Sequence, residues 1–231
     1  MERKRIGIIG GVGPASTVLY YLKIIEGFKE KSGSHHAPEI MIYSLDLAEI
    51  SDFFNQEKFK HLADKLVRVI NGMSEMGCDF ALFACNAMHQ VYNEVASKVS
   101  LPMINLIEAV KGEIFERKLK KVGLLGTTFV MQTGIYRDIL AEAGVECLVP
   151  EEGEQDWIMA AILDDLQKSK IPSATVNRLI NNISQMGEQG AEGVILGCTD
   201  LSVAVNKNNS PLPVLDSTEI HVRAIIDNLL K

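Results

Sequence analysis

Short, continuously apolar runs alternate along this chain with longer segments in which apolar residues recur at helical spacing. The runs predict strands at about 5–9, 40–44, 80–84, 103–105, 122–125, 146–149, 194–196 and 214–215. The longer segments predict helices at about 15–29, 58–76, 90–98, 106–117, 132–143, 155–168, 175–189 and 217–230. Apolar strands that alternate with helices are typical of parallel sheets covered on both faces. We therefore predict an α/β fold whose ligands bind at the carboxyl ends of the strands.

The second half of the chain repeats the first. Three pairs of segments match in the same order, namely 5–10 with 121–126, 77–86 with 190–199, and 101–105 with 212–216. The first matched glycine precedes the matched cysteine by 78 residues in one half (7 to 85) and by 75 in the other (123 to 198). A duplicated supersecondary unit explains this register.

Each repeat places a cysteine at the same point. One apolar run ends in Cys85 and Asn86, and its counterpart ends in Cys198 and Thr199. If the two halves face each other across a cleft, the two thiols confront one substrate from opposite sides. Removal of a proton from one face of a carbon and return of a proton to the other face is the chemistry of a racemase.

A glycine-rich turn, 10–13, follows the first predicted strand and leads into Pro14. It only approximates the dinucleotide fingerprint, and Asp46 lies too far along the chain to be the acidic residue of that motif. The backbone N–H groups of such a turn can bind a carboxylate or a phosphate. We favour anion binding over a nucleotide site and over a purely structural turn.

The residues around the two cysteines suggest how the thiols and a substrate could be supported. Cys85 lies where a strand opens into a helix, and the positive end of that helix favours the thiolate. His89 lies one helical turn further on, where it can support the thiol or hydrogen-bond to substrate. Asp200 is either a first-turn acid favoured by the helix dipole or a partner of the substrate amine or of the thiol. Cys85 and His89 could be two metal ligands, but no further Cys/His pair has metal-ligand spacing, so we expect no metal. We assign Cys78 and Cys147 to packing.

Composition excludes several classes of function. The chain has 231 residues, of which 47% are hydrophobic and 23% charged, as in an ordinary globular protein. Its formal net charge of −7 argues against a nucleic-acid surface. The apolar stretch 6–9 is too short to predict a leader peptide, and no apolar window is long enough to predict a membrane span, so we expect a cytoplasmic protein with reduced cysteines.

Together these residues resemble the cofactor-independent aspartate/glutamate racemase superfamily, and within it the aspartate racemase branch. The resemblance spans the chain and rests on 8–14, on Cys85-Asn86 with His89, on 125–127 with Met131 and Tyr136, and on 197–199. Asp200 stands where the aspartate branch usually has glutamate and glutamate racemases have histidine. Four other departures concern the substrate: Ala87 and Val130 replace usual threonines, Gln167 falls where a carboxylate-binding lysine often sits, and no arginine occupies the loop after Ser44.

The resemblance implies two pseudo-symmetric lobes, each with a four-stranded parallel sheet flanked by helices, with the active site in the cleft between them. The first lobe would comprise 1–105 plus 216–231, and the second 106–215. The implied enzyme is a homodimeric isomerase without a cofactor, which interconverts L- and D-aspartate or glutamate by a two-base mechanism with Cys85 and Cys198. The implied substrate-binding residues are Gly11, Val12, Gly13, Gln56, Asn86, Ala87, Thr127, Thr128, Gln167, Thr199 and Asp200, supported by His89.

Other activities within and outside the superfamily stay open. A single-cysteine decarboxylase, a maleate isomerase and a hydantoin racemase belong to the same superfamily, and the departures also permit an inactive homologue that binds a small acid. The presence of both cysteines favours racemisation over decarboxylation.

Overall fold

The computed structural model describes residues 4–33, 36–166 and 170–231. Within them the chain forms two compact units, one made of the residues up to Leu106 together with His221–Lys231, and the other of Ile107–Ile220. The junctions fall one and five residues later than the positions expected from the sequence, which are 105/106 and 215/216. The first junction lies at the start of a helix, and the second lies within the last helix of the chain.

The first unit contains a four-stranded parallel sheet in the order β2-β1-β3-β4. Its strands are β1 (Arg5–Gly10), β2 (Glu39–Ser44), β3 (Phe80–Phe83) and β4 (Met103–Ile104). The helices that connect them are α1 (Pro14–Ser32), α2 (Leu47–Asn55), α3 (Phe59–Glu75), a 3-10 helix at Ala87–Val91, and α4 (Tyr92–Ala96).

The second unit contains a sheet of the same kind, in the order β6-β5-β7-β8. Its strands are β5 (Lys121–Leu125), β6 (Glu146–Leu148), β7 (Val194–Leu196) and β8 (Val214–Asp216). The helices are α5 (Leu106–Glu116), α6 (Thr128–Gln132), α7 (Gly134–Glu142), α8 (Glu152–Asp164), α9 (Ser173–Glu188) and a 3-10 helix at Thr199–Val203. The last helix, α10 (Ser217–Leu229), begins in the second unit and continues from His221 in the first. The prediction of two four-stranded parallel sheets flanked by helices is confirmed.

In the first sheet, β1 from Ile6 to Gly10 and β3 lack polar side chains because both faces of these two strands are buried. Ile9 and Phe83 pack on one face in a cluster that includes Leu66 and Ile70 of α3. Residues from the same two strands that point the other way pack in a second cluster with α1 and α10; these are Ile6, Ile8, Phe80 and Leu82. Alternate residues of each strand therefore enter two different cores, which leaves no polar side to the pattern.

The duplication extends to individual packing contacts. Gly7 of β1 lies under Met73, where an added Cβ would meet the sulfur at 2.5 Å, and Gly123 of β5 lies under Met186, where the same distance is 2.7 Å. At the start of the third strand of each sheet, the backbone N–H of Asp79 donates to Arg5 (2.8 Å), as that of Glu192 donates to Lys121 (2.8 Å). The repeat therefore preserves both the backbone pairing and the close helix-to-strand contact.

The structure differs from the predicted helices in three places. The nine-residue helix α2 was not predicted; it is stabilised by Asp46, whose carboxylate accepts from the N–H groups of Ala48 and Glu49. The helix predicted at 90–98 instead begins at Ala87 as a 3-10 helix. The helix predicted at 132–143 begins two residues later, at Gly134, because the extended backbone of Thr133 separates α7 from the short helix α6.

Candidate active-site residues

Cys85 of the first unit lies at the carboxyl end of the central strand pair. β1 and β3 are neighbours in parallel register, and the N–H of Ala84 donates to the carbonyl of Ile9 (2.9 Å). Cys85 is partly buried and precedes Asn86, which is buried. The thiol and the glycine turn that follows β1 are therefore held at the same edge of the sheet, as expected for a ligand site in a parallel sheet.

The environment of the Cys85 thiol has two opposing effects on its pKa. Burial raises the pKa of this thiol, and hydrogen bonds from the N–H groups of Met88 and Ala87 act in the other direction. The effect of burial is the larger, so the pKa is raised overall and Cys85 is a thiol at neutral pH. The sequence-based expectation that the helix start favours the thiolate is therefore wrong for the unliganded site, because burial outweighs the two N–H groups of a short 3-10 helix.

His89 lies in the same 3-10 helix and is buried. Its Nδ1 is 3.1 Å from the carbonyl oxygen of Cys85, and its Nε2 is 3.1 Å from the backbone nitrogen of Leu106. A carbonyl only accepts and a backbone N–H only donates, so the imidazole is neutral with its proton on Nδ1. Burial lowers the pKa of His89 to about 4, consistent with a neutral ring. His89 thus supports the backbone at Cys85 rather than the thiol itself.

The glycine turn after β1 is closed by Thr17, a residue that the sequence analysis missed. The N–H of Gly11 donates to Oγ1 of Thr17 (2.9 Å), and this hydroxyl lies 3.4 Å from the carbonyl of Gly13. Gly11 has φ of +91°, and a Cβ there would collide with the backbone of Leu45. Because the N–H of Gly11 is occupied, anion binding by this turn is left to Val12 and Gly13.

Cys198 of the second unit occupies the corresponding place in its sheet. β5 and β7 are parallel neighbours, and the N–H of Gly197 donates to the carbonyl of Leu125 (2.7 Å). Cys198 is partly buried, has an extended backbone, and precedes Thr199, which is buried. Asp200 is partly buried in the first turn of the 3-10 helix.

Thr127 and Thr128 follow the neighbouring strand β5 and lie at the same edge of the second sheet. Thr127 caps α6, because its hydroxyl oxygen accepts from the N–H of Val130 (3.3 Å). Its hydroxyl proton remains available to donate to a ligand. Thr128 is partly buried at the first position of α6. These two threonines and Cys198 therefore share one edge, as the glycine turn and Cys85 do in the first unit.

The remaining predicted substrate-binding residues are Ala87, Gln56 and Gln167. Ala87 is partly buried in the 3-10 helix after Cys85 and contributes a backbone N–H to the thiol. Gln56 is exposed at the end of α2, and nine residues of helix separate it from the carboxyl end of β2, about 13 Å along the axis. Gln167 lies outside the described residues.

Within the described parts of the chain, no group of three or more His, Cys, Asp or Glu side chains is arranged to hold a metal ion. No helix of these same residues is both long enough and apolar enough to cross a membrane.

The family model for Asp/Glu/hydantoin racemases matches residues 9–225. The chain belongs to the Asp/Glu/hydantoin racemase family. It is 28% identical to the broad specificity amino-acid racemase RacX of Bacillus subtilis (strain 168), over 97% of this chain and 98% of RacX. Its membership of this racemase family places the protein among amino-acid racemases and their isomerase relatives.

Solved structures of this racemase family share the fold. An aspartate racemase homologue from Pyrococcus horikoshii OT3 superposes with a TM-score of 0.88 at 34% identity, covering 99% of this chain and 100% of that chain. The aspartate racemase of Picrophilus torridus superposes with a TM-score of 0.77 at 24% identity, covering 99% and 95% of the two chains, a likeness that concerns the fold alone. The resemblance to the aspartate racemase branch noted in the sequence is therefore confirmed.

Proposed function

We propose that the protein racemises an acidic amino acid, aspartate or glutamate, without pyridoxal phosphate, with Cys85 and Cys198 as the two bases. The observation that carries the proposal is the duplication itself. Each unit presents one partly buried cysteine at the carboxyl end of its third strand, next to a second strand that ends in small polar or glycine residues. Two bases of the same kind suit a reaction that runs equally well in both directions.

In the proposed reaction one cysteine, as thiolate, takes the α-proton, and the electron pair of the C–H bond stays on the α-carbon and its carboxylate. The other cysteine, as thiol, donates its proton to the opposite face of that carbon. The two cysteines must therefore rest in opposite protonation states. The raised pKa of Cys85 supports its assignment as the proton donor of the unliganded enzyme.

The α-proton of an amino acid is a very weak acid, so donors around the carboxylate have to stabilise the charge that develops in the transition state. The candidates that the structure supports are the N–H groups of Val12 and Gly13, the hydroxyl of Thr127, and the buried side chains of Asn86 and Thr199. Asp200, beside Cys198, is our candidate for the substrate ammonium group.

A broader substrate range is the second candidate function. The similarity to RacX extends over nearly the whole of both chains, and that relative is described as having broad specificity. In this chain Asp200 is one carbon shorter than the glutamate usual in the aspartate branch, which leaves room near the amino group. We therefore include neutral amino acids in the substrate panel, with hydantoins, maleate and a decarboxylase substrate as tests of the other superfamily activities.

The test is incubation of the protein with single enantiomers in deuterated water. Chiral chromatography then measures inversion, and mass spectrometry measures deuterium labelling. The wild-type enzyme should invert and label aspartate or glutamate. The rate of inversion should fall by at least about 10³-fold in Cys85→Ala and in Cys198→Ala. Each should still exchange the α-hydrogen of one enantiomer, L for Cys85→Ala and D for Cys198→Ala, because the remaining thiol can exchange its proton with solvent and return deuterium to the same face.

Full racemase activity in either single variant would contradict the two-base mechanism, as would labelling of both enantiomers by one variant. Inversion that is lost on treatment with hydroxylamine and restored by added pyridoxal phosphate would contradict the proposed independence of that cofactor.

A further inference from the structure

In the first unit, the residue four positions after the cysteine connects the thiol-bearing turn to the start of the next helix. His89 donates from Nδ1 to the carbonyl of Cys85 and accepts at Nε2 from the N–H of Leu106, each at 3.1 Å. Leu106 is the first residue of α5, and the hydrogen bond to it is buried. The position of the Cys85 turn is thus tied to the junction between β4 and α5.

In the second unit, the residue four positions after the cysteine makes the corresponding connection with different chemistry. The hydroxyl of Ser202 donates to Oδ2 of Asp216 (2.7 Å), the last residue of β8. The other carboxylate oxygen of Asp216 accepts from the N–H groups of Thr218 (2.9 Å) and Glu219 (3.2 Å) in the first turn of α10. The Cys198 turn is thus tied to the junction between β8 and α10.

These two connections occupy equivalent places in the repeat. His89 and Ser202 both lie four residues after a matched cysteine (85 to 89 and 198 to 202), and each lies in a five-residue 3-10 helix. The two junctions are the matched segments that end in Asn105 and Asp216. We propose that His89 and Ser202 are paired positioning residues, each of which fixes the turn that carries its own cysteine against the helix that begins after the last strand of its sheet.

The physical reason for such a device is the shortness of the 3-10 helices. A five-residue segment has few backbone hydrogen bonds of its own and does not hold a side chain rigidly. Proton transfer requires the thiol to be positioned closely, and a displacement of about 1 Å costs about 10²-fold in rate. A side-chain bond from the middle of the turn to an adjacent helix start supplies the missing constraint.

This proposal rests on the proposed function, since it assigns the two residues to the cysteines that carry out proton transfer. Its test uses two matched pairs of variants in the full-length protein. His89→Gln keeps an acceptor close to the position of Nε2, whereas His89→Met has similar length and no comparable acceptor. Ser202→Thr keeps the hydroxyl, whereas Ser202→Val has the same shape as threonine without it.

The first readout is the rate of alkylation by iodoacetamide at each cysteine, resolved by peptide mass spectrometry. A released turn exposes its thiol more often, so His89→Met should raise the ratio of Cys85 to Cys198 alkylation, and Ser202→Val should lower it. His89→Gln and Ser202→Thr should leave the ratio near the wild-type value. The cysteine of the other unit serves in each variant as an internal control for the integrity of the fold.

The second readout is kcat/KM for racemisation, which should fall by about 10²-fold in His89→Met and Ser202→Val and largely recover in the conservative variants. Equal changes at both cysteines, or identical behaviour within a matched pair, would overturn the proposal. If the wild-type protein racemises none of the amino acids tested, the proposed function fails; the alkylation ratios then still decide whether the two residues position the cysteines.

Discussion

The two units have the same backbone plan but build the junction after their last strand from different side chains. The first unit uses imidazole groups. Nε2 of His89 accepts from the N–H of Leu106, and Nε2 of His221 lies 3.3 Å from the carbonyl oxygen of Ile104. The second unit uses hydroxyls and a carboxylate: Ser202 binds Asp216, and Ser217 donates to the carbonyl of Leu196 (2.6 Å). Both units therefore hold this junction with side-chain hydrogen bonds, but the chemical groups that make those bonds differ between the two.

A pair of tyrosines shows the same divergence at equivalent positions. Tyr20 and Tyr136 each follow the matched glycine of their unit by 13 residues (7 to 20 and 123 to 136), and both are fully buried. The hydroxyl of Tyr20 lies 3.0 Å from Nδ1 of His221, whereas Tyr136 hydrogen-bonds to Ser217. Both partners belong to α10. The difference predicts that the two units respond differently to acid and to loss of a hydroxyl.

The largest expected contrast is in acid. Burial lowers the pKa of His89 to about 4 and that of His221 to about 3, from about 6.5 in an unfolded chain. The unfolded state binds more protons in this range, so the contribution of each histidine to stability is complete above pH 6.5 and is lost as pH falls towards these values. We expect a loss of about 2 kcal/mol per histidine between pH 7 and pH 5.

Amide hydrogen exchange, corrected for intrinsic rates, measures this loss separately in the two units. The strands β1 and β3 should lose protection between pH 7 and pH 5, while β5 and β7 retain it, since the second unit has no buried histidine among its described residues. The double variant His89→Gln/His221→Gln should show a flat pH dependence. Equal losses in both units of the wild-type protein would contradict this account.

Removal of the tyrosine hydroxyls should give a smaller contrast. Tyr20→Phe leaves Nδ1 of His221 buried without its donor, which costs about 2 kcal/mol in the free energy of unfolding. Tyr136→Phe should cost about 1 kcal/mol, because Ser217 keeps its bond to Leu196. Urea titration of the two variants at pH 7.5 tests the order. A larger effect for Tyr136→Phe would show that the two junctions do not differ as described.

The smallest effect concerns a feature that the two units share. Gly7→Ala and Gly123→Ala each bring a methyl group against a methionine sulfur, at 2.5 and 2.7 Å from the ideal Cβ position. Methionine is flexible and can partly move away, so each variant should lose about 1 kcal/mol in the free energy of unfolding. Similar values for the two sites would confirm that this contact is duplicated. If Met73→Leu restored the stability of Gly7→Ala but Met186→Leu did not restore that of Gly123→Ala, the two contacts would not be equivalent.

The sequence by itself determined the class of fold, the duplication and the pair of cysteines. Strands buried on both faces have to be apolar at every position, and a repeat in register has to show matched glycines, so both signals are present in a single sequence. The match of Cys85 with Cys198 follows from that register. Helix α2 was not predicted, and the start of the 3-10 helix at Ala87–Val91 was placed three residues too late because 3-10 geometry has no distinct apolar pattern.

Only the tertiary structure decided what surrounds the cysteines, because pKa values and hydrogen bonds depend on groups distant along the chain. Burial of Cys85 outweighs the nearby N–H groups, and the ring of His89 is fixed by Leu106, 17 residues away. Thr17 occupies the N–H of Gly11, which no spacing rule indicates. Ser202 gains its role from Asp216, 14 residues further on. Such pairings arise when the sheet forms, because segments that are distant along the chain then meet at the carboxyl ends of its strands.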